Sequence, residues 1–179
     1  MCTTIWRFPK GLEAANKGRI RRIAGIDPGL ASTGWGVVEY ENNRIRYLAH
    51  GCIETAAALP RAERLFFIYR KINAVLDTYN PNEAAMETLY FGRNVSSAIS
   101  VAEARGVLSL AVAERNLPLA EFSPNMIKKA VVGETRASKE QVQEMVRLIL
   151  GLPVVPEPDH AADALGAAVC AAHNAWVIK

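Results

Sequence analysis

Ile23-Ala24-Gly25-Ile26-Asp27-Pro28-Gly29 decides how this chain is read. A short apolar run ends in one carboxylate, and Pro28-Gly29 supply turn chemistry directly behind it. Strand interiors disfavour Asp, so Asp27 belongs at a strand end, where it either caps the turn or holds a cation. Thr33-Gly34-Trp35-Gly36-Val37-Val38-Glu39-Tyr40 reads as the returning strand. Glu41-Asn42-Asn43 makes the next turn, and 44–53 reads as a third strand. Strands over 23–28, 35–41 and 44–53 form an antiparallel meander.

Two segments further on carry acids in the same unusual placement. Ala84-Ala85-Met86-Glu87-Thr88-Leu89-Tyr90-Phe91 is an apolar run of strand length with Glu87 at its centre. A charge there is costly unless it is paired or coordinates a metal; the alternative is a solvent-facing Glu on a one-sided strand. Pro158-Asp159-His160-Ala161-Ala162-Asp163-Ala164-Leu165 opens an Ala-rich helix running to about Trp176. His160 and Asp163 share a helix face at i and i+3, and Asp159 can share it at i+4 spacing. Asp159, directly after Pro158, is the better candidate for the helix cap.

The remaining elements alternate. A helix opens at Leu59-Pro60 and runs to about Asp77, with an apolar stripe of Leu65, Ile68, Ile72, Val75, Leu76 and Tyr79; Asn80-Pro81 ends it. The Glu87 strand follows. A long helix over 94–116 has Ile99, Ala102, Gly106, Leu108 and Leu110 among its apolar positions. A short strand over 118–122 leads to a helix that starts at Pro124 and stops at Gly133. Ser138-Lys139-Glu140-Gln141 is a capping box for the helix ending at Gly151, and Pro153, Pro156 and Pro158 stiffen the connector to the last helix. The pattern predicts an α/β domain: a five-stranded mixed sheet, three antiparallel strands then parallel ones, with helices on both faces. Residues 1–20 show no clean period and are expected to be a flexible leader to one domain over 21–179.

Composition narrows the class. A chain of 179 residues, half of them hydrophobic, buries one ordinary core. No apolar run reaches the roughly 18 residues of a spanning helix. Arg7, Lys10 and Glu13 stand where a signal peptide needs an apolar centre. Cys2, Cys52 and Cys170 have no metal-type spacing and fit a reducing compartment, so a cytoplasmic location is expected. The net charge of +3 permits nucleic-acid binding without arguing for it.

If Asp27, Glu87 and Asp163 converge, they make a carboxylate cage suited to Mg²⁺ or Mn²⁺. Two such ions about 3.5–4 Å apart clamp the attacking water and the leaving oxygen of a phosphodiester. Tyr90, Phe91, Arg93 and Asn94 follow Glu87 directly, and an exposed aromatic there can stack on a base while the other packs inward. Lys128, Lys129, Arg136 and Lys139 cluster around Gly133, where they either neutralise phosphates or form a solvated basic face.

Together, Gly25-Ile26-Asp27-Pro28-Gly29, Thr33-Gly34-Trp35-Gly36, Glu87 with Asn94, Glu103-Ala104-Arg105-Gly106, Val131-Val132-Gly133, Lys139 with Gln141-Val142-Gln143, and Ala161-Ala162-Asp163-Ala164-Leu165 resemble the RuvC family of Holliday-junction resolvases, over about 22–173. The resemblance implies an RNase H-like fold and symmetric, metal-dependent cleavage of four-way DNA junctions in recombination and repair, with two Mg²⁺ or Mn²⁺ ions per site. The family's metal positions fall on Asp27, Glu87, His160 and Asp163. Many relatives have Asp where this chain has His160, and the softer imidazole tilts preference towards Mn²⁺. The base-contacting aromatic falls on Tyr90, with Arg93 beside it, and the functional lysines fall on Lys128 and Lys139. The resemblance also implies a homodimer matched to the near two-fold symmetry of a junction. The small residues Ala98, Ala102, Ala104, Gly106 and Ala111 make the long helix the candidate interface. By family analogy the RuvA–RuvB branch-migration complex is a further partner.

Three other readings compete. An actin-like ATP-binding module would use the first hairpin for phosphates, but needs two copies of the fold. A non-catalytic junction binder would have lost acids. A general RNase H-like nuclease would act on RNA–DNA hybrids.

Overall fold

The structure, a computed structural model, describes residues 20–88 and 95–174. In chain order it contains β1 (Arg21–Asp27), β2 (Ser32–Glu41), β3 (Arg44–Glu54), α1 (Arg61–Tyr79), β4 (Glu83–Glu87), α2 (Val95–Glu114), β5 (Leu119–Phe122), α3 (Pro124–Val132), α4 (Lys139–Leu150) and α5 (Asp159–His173). The five strands lie in the order β3-β2-β1-β4-β5. β1 pairs antiparallel with β2 and β2 with β3, whereas β1 pairs parallel with β4 and β4 with β5. The meander and the mixed sheet are those expected from the sequence. Tyr90, Arg93 and residues 1–19, most of the expected leader, lie outside the described residues.

Strand alternation sends side chains to two separate cores. Ile23, Val38 and Ala85 pack under α3, α4 and α5. Ala24, Ile26, Val37, Ala84 and Met86 pack under α1 and α2. Both faces of β1 are therefore dry, which is why its sequence reads as a continuous apolar run.

α5 is the element that positions the site. It is buried without interruption from Ala164 to Ala172 and lies unusually close to the sheet. A Cβ at Gly25 would fall 1.9 Å from the Ala164 carbonyl oxygen, and one at Gly36 would fall 2.5 Å from Leu165 Cδ2. Glycines on the strands and alanines on the helix are what allow backbone to approach backbone. At the far end, Arg21 donates to the carbonyls of Ala171 (2.9 Å) and Ala172 (3.3 Å), satisfying last-turn acceptors. The same guanidinium forms a two-pronged pair with Glu83, at 2.8 and 2.7 Å. Breaking such a buried pair costs about 3–5 kcal/mol. α5 thus runs antiparallel to β1 and delivers its first turn to the ends of β1 and β4.

Two expectations are corrected. The N-cap of α5 is Pro158, with no side-chain cap bond, and Asp159 is the first helical residue. Its carboxylate lies 3.0 Å from the Lys139 ammonium instead, because a bond to a full charge outweighs one to a backbone N–H. In α2, Ala98, Ala104, Leu108, Ala111 and Val112 face the core, whereas Ile99 and Leu110 are 48% and 54% exposed. The small residues Ala98, Ala104 and Ala111 therefore serve packing within the chain, and the outward stripe is Ile99, Gly106 and Leu110. Among the described residues no helix is long and apolar enough to cross a membrane.

Candidate active site

Asp27 is the last residue of β1 and Glu87 the last of β4. Their parallel register pairs Ile26 with Met86, which sets the two acids level on adjacent strands. Alternation points both to the α5 side: Ile23 and Ala85, an even number of residues away, belong to that core. α5 brings His160 and Asp163 to the same place on its first turn, with the positive end of the helix dipole towards the acids.

Asp27, His160 and Asp163 each offer a ligand atom, and these atoms lie within 4.8 Å of one another. His160 Nδ1 is 2.6 Å from Asp27 Oδ2. Lys139, from the first turn of α4, places its ammonium 3.1 Å from Asp163 Oδ2 and 3.0 Å from Asp159 Oδ2. Lys128 donates to the Ala137 carbonyl at 2.6 Å and so closes the loop between α3 and α4.

The electrostatics are those of a crowded anion site. Burial, then the charges of Asp27 and Asp163, push the Glu87 carboxyl up to about 7, while Lys128 and Lys139 pull it down. Burial also raises Asp163, against the opposing hydrogen bond from Lys139. The hydrogen bond to Asp27 raises His160 against the effect of burial. Burial draws the Lys139 ammonium down, but its bonds to Asp159 and Asp163 outweigh that and leave it raised. Glu87 is outside the compact trio, yet it feels two of its charges. Three carboxylates and an imidazole gathered at the ends of β1 and β4, with one acid driven towards its neutral form, fit a divalent cation: oxygen donors plus one nitrogen, and negative charge that a cation would relieve.

The sequence-predicted ligands Asp27, His160 and Asp163 are thus brought together, with Glu87 beside them. Lys128 and Lys139 stand close enough to act on the Glu87 charge, but both ammonium groups are engaged within the chain. Sequence reasoning missed three features: the Lys139–Asp159 pair, the close approach of the Gly34 backbone to the His160 carbonyl, and Arg105, whose guanidinium reaches the Glu87 main-chain carbonyl. A signal for the last was present, since Arg105 is the lone cation among Ala104, Gly106 and Val107.

Comparison with known proteins places the chain in a family. The family model described as "Crossover junction endodeoxyribonuclease RuvC" matches residues 23–171. A Treponema denticola protein of that name is 50% identical over 157 residues, covering 87% of this chain and 88% of its own. The structure of Thermus thermophilus RuvC in complex with a Holliday junction substrate aligns with a TM-score of 0.81 at 36% identity, covering 86% of this chain and 93% of that one. The yeast mitochondrial Holliday junction resolvase Ydc2 shares the fold, with a TM-score of 0.60 at 16% identity over 86% and 79% of the two chains.

Proposed function

The chain belongs to the RuvC family of crossover junction endodeoxyribonucleases, and from that premise we propose that it resolves four-way DNA junctions by symmetric phosphodiester hydrolysis near the crossover. The observation that carries the chemistry is the convergence of Asp27, His160 and Asp163 within 4.8 Å, with Glu87 held level with Asp27 by strand register. Asp27, Glu87, His160 and Asp163 would hold divalent cations, Mg²⁺ or Mn²⁺ and two per site. Bound ions would activate the attacking water and stabilise the leaving oxygen.

The chain's own groups do the rest. Where its pair with Asp27 holds His160 as an imidazolium, that ring must lose a proton before one of its nitrogens can ligate. Glu87, protonated more readily than an ordinary Glu, must lose its proton as well. Lys139 bridges Asp163 and Asp159 and stands ready to turn to a backbone phosphate once these acids engage cations. Lys128 fixes the loop before α4 and adds positive potential near the acids. Tyr90 and Arg93, beyond the end of β4, would meet a base and a phosphate at the crossover.

Symmetric cutting calls for two sites, and a C2 homodimer supplies them. The outward stripe Ile99, Gly106 and Leu110 of α2 is the proposed contact. A RuvA–RuvB branch-migration complex is proposed as a functional partner on family grounds. Cleavage of a synthetic four-way junction, set against an RNA–DNA hybrid duplex, tests the function. Paired nicks in the junction with Mn²⁺ and none in EDTA are expected. Preference for the hybrid, or equal cutting in EDTA, would reject it.

A further inference from the structure

The Glu87 carbonyl stands where the sheet cannot satisfy it. On β4, the N–H groups of Ala84 and Thr88 donate to the Pro118 and Phe122 carbonyls of the β5 side, at 2.9 and 2.8 Å. Alternation therefore turns the peptide groups of Glu87 towards β1. In that parallel register the donor that would meet its carbonyl follows Asp27, and this residue is Pro28, which has no N–H. The turn chemistry that frees Asp27 at the end of β1 thus orphans the carbonyl of the acid beside it.

Arg105 takes up that carbonyl. It comes from α2 on the opposite face of the sheet, next to the fully buried Ala104. One guanidinium nitrogen donates to Glu87 O, and another lies 2.6 Å from Glu121 Oε1 on β5. The Arg105 side chain is only 14% exposed. Its planar fork is held at both ends, and a rigid fork transmits position in a way that a flexible ammonium does not.

We infer that Arg105 is a positioning residue for Glu87: it fixes the last peptide of β4, and so the direction in which the Glu87 carboxylate enters the metal site. The inference rests on Glu87 being a metal ligand. Metal sites need their ligands held to within about half an ångström, and losing such an outer support lowers metal affinity by roughly 10–100-fold.

The test is Mn²⁺ affinity, measured from free-ion EPR titrations on purified wild-type protein and on Arg105→Gln, Arg105→Lys, Glu121→Gln and Glu87→Gln, beside junction affinity in EDTA. Arg105→Gln should bind Mn²⁺ about 10-fold more weakly, with junction affinity unchanged. Arg105→Lys should recover part of the loss. Glu121→Gln, at an exposed position, should weaken Mn²⁺ binding in the same direction by less, and it decides the matter alone if Arg105→Gln does not fold. Wild-type Mn²⁺ affinity in Arg105→Gln and Glu121→Gln, with loss in Glu87→Gln, would overturn the positioning role. Wild-type affinity in Glu87→Gln would instead overturn the ligand assignment on which the inference stands.

Discussion

A Cβ placed on Gly34 would fall 1.9 Å from the carbonyl oxygen of His160. β2 and α5 are in backbone contact at the very turn that carries the imidazole. Because Gly34 pairs with Asp27 in the β1–β2 register, the same glycine lies beside one proposed ligand and beneath another.

Gly34→Ala is therefore expected to lift the start of α5. Helix backbone and not a flexible side chain meets the new methyl, so relaxation is collective, at a cost of about 1–3 kcal/mol as for other overpacked sites. Cleavage should fall more than stability, because His160 and Asp163 move together relative to Asp27. Melting temperature and junction cleavage, measured on one preparation, check this; cleavage at the wild-type rate would show that α5 adjusts without disturbing its first turn.

Asp27→Asn, Glu87→Gln and Asp163→Asn should each remove cleavage while leaving junction binding in EDTA nearly intact. In the proposed site these side chains would form the cage, whereas affinity for DNA would come from phosphate contacts elsewhere. Each loss should exceed the roughly 100-fold upper range for an outer-shell partner. Single-turnover cleavage and gel-shift affinity separate the two effects; a variant that cuts near the wild-type rate would drop out of the cage.

Much of this was legible in the sequence, and the reasons can be named. Asp27 and Glu87 stand out because a lone acid beside an apolar run needs an account, and strand periodicity fixes which face each occupies. The Ser138 capping box was readable because both partners lie within four residues, and the structure shows both of its bonds. Asp159 was misread as a cap because the decisive competitor, Lys139, lies 20 positions away in sequence and meets it only through the packing of α4 on α5. The outward side of α2 was misread because Ile99 and Leu110 are apolar yet exposed, and composition alone does not say which side of an apolar helix is covered. The family resemblance supplied the ligand set as a whole; local reasoning left Asp159 and His160 as alternatives.

Protonation should tie the stability of the metal-free protein to pH in an unusual direction. Glu87 is raised from 4.5 to about 7, so the folded state holds that proton more tightly than the unfolded chain does. Between about pH 4.5 and about pH 7 the unfolded state ionises first, and this group's effect is falling stability as pH rises. His160 acts in the same sense: its pair with Asp27 contributes fully below its ordinary value of 6.5 and is lost as pH climbs through the raised folded value. Melting in EDTA across this range should show a downward slope that flattens in Glu87→Gln. Added Mn²⁺ should raise the melting temperature more at pH 7.5 than at pH 5.5, since binding expels these protons. Identical slopes for wild type and Glu87→Gln would remove Glu87 from the coupling.

His160 and Asp159 give the sharpest contrast at the site. The two are adjacent on α5, yet His160 bonds Asp27 and Asp159 bonds Lys139. His160→Ala should lose most cleavage, because a proposed ligand and the partner of Asp27 go together. Asp159→Ala should cost little stability, since no cap is lost, and should leave Lys139 held by Asp163 alone, with a modest change in rate. His160→Asp restores an all-oxygen donor set and should move preference from Mn²⁺ towards Mg²⁺. It also sets a carboxylate directly against Asp27, so its metal-free form should be less stable at neutral pH than at pH 5 by like-charge repulsion. Cleavage rates in each metal for the three variants, with melts in EDTA, decide it. Full activity in His160→Ala alongside loss in Asp159→Ala would reverse the two assignments.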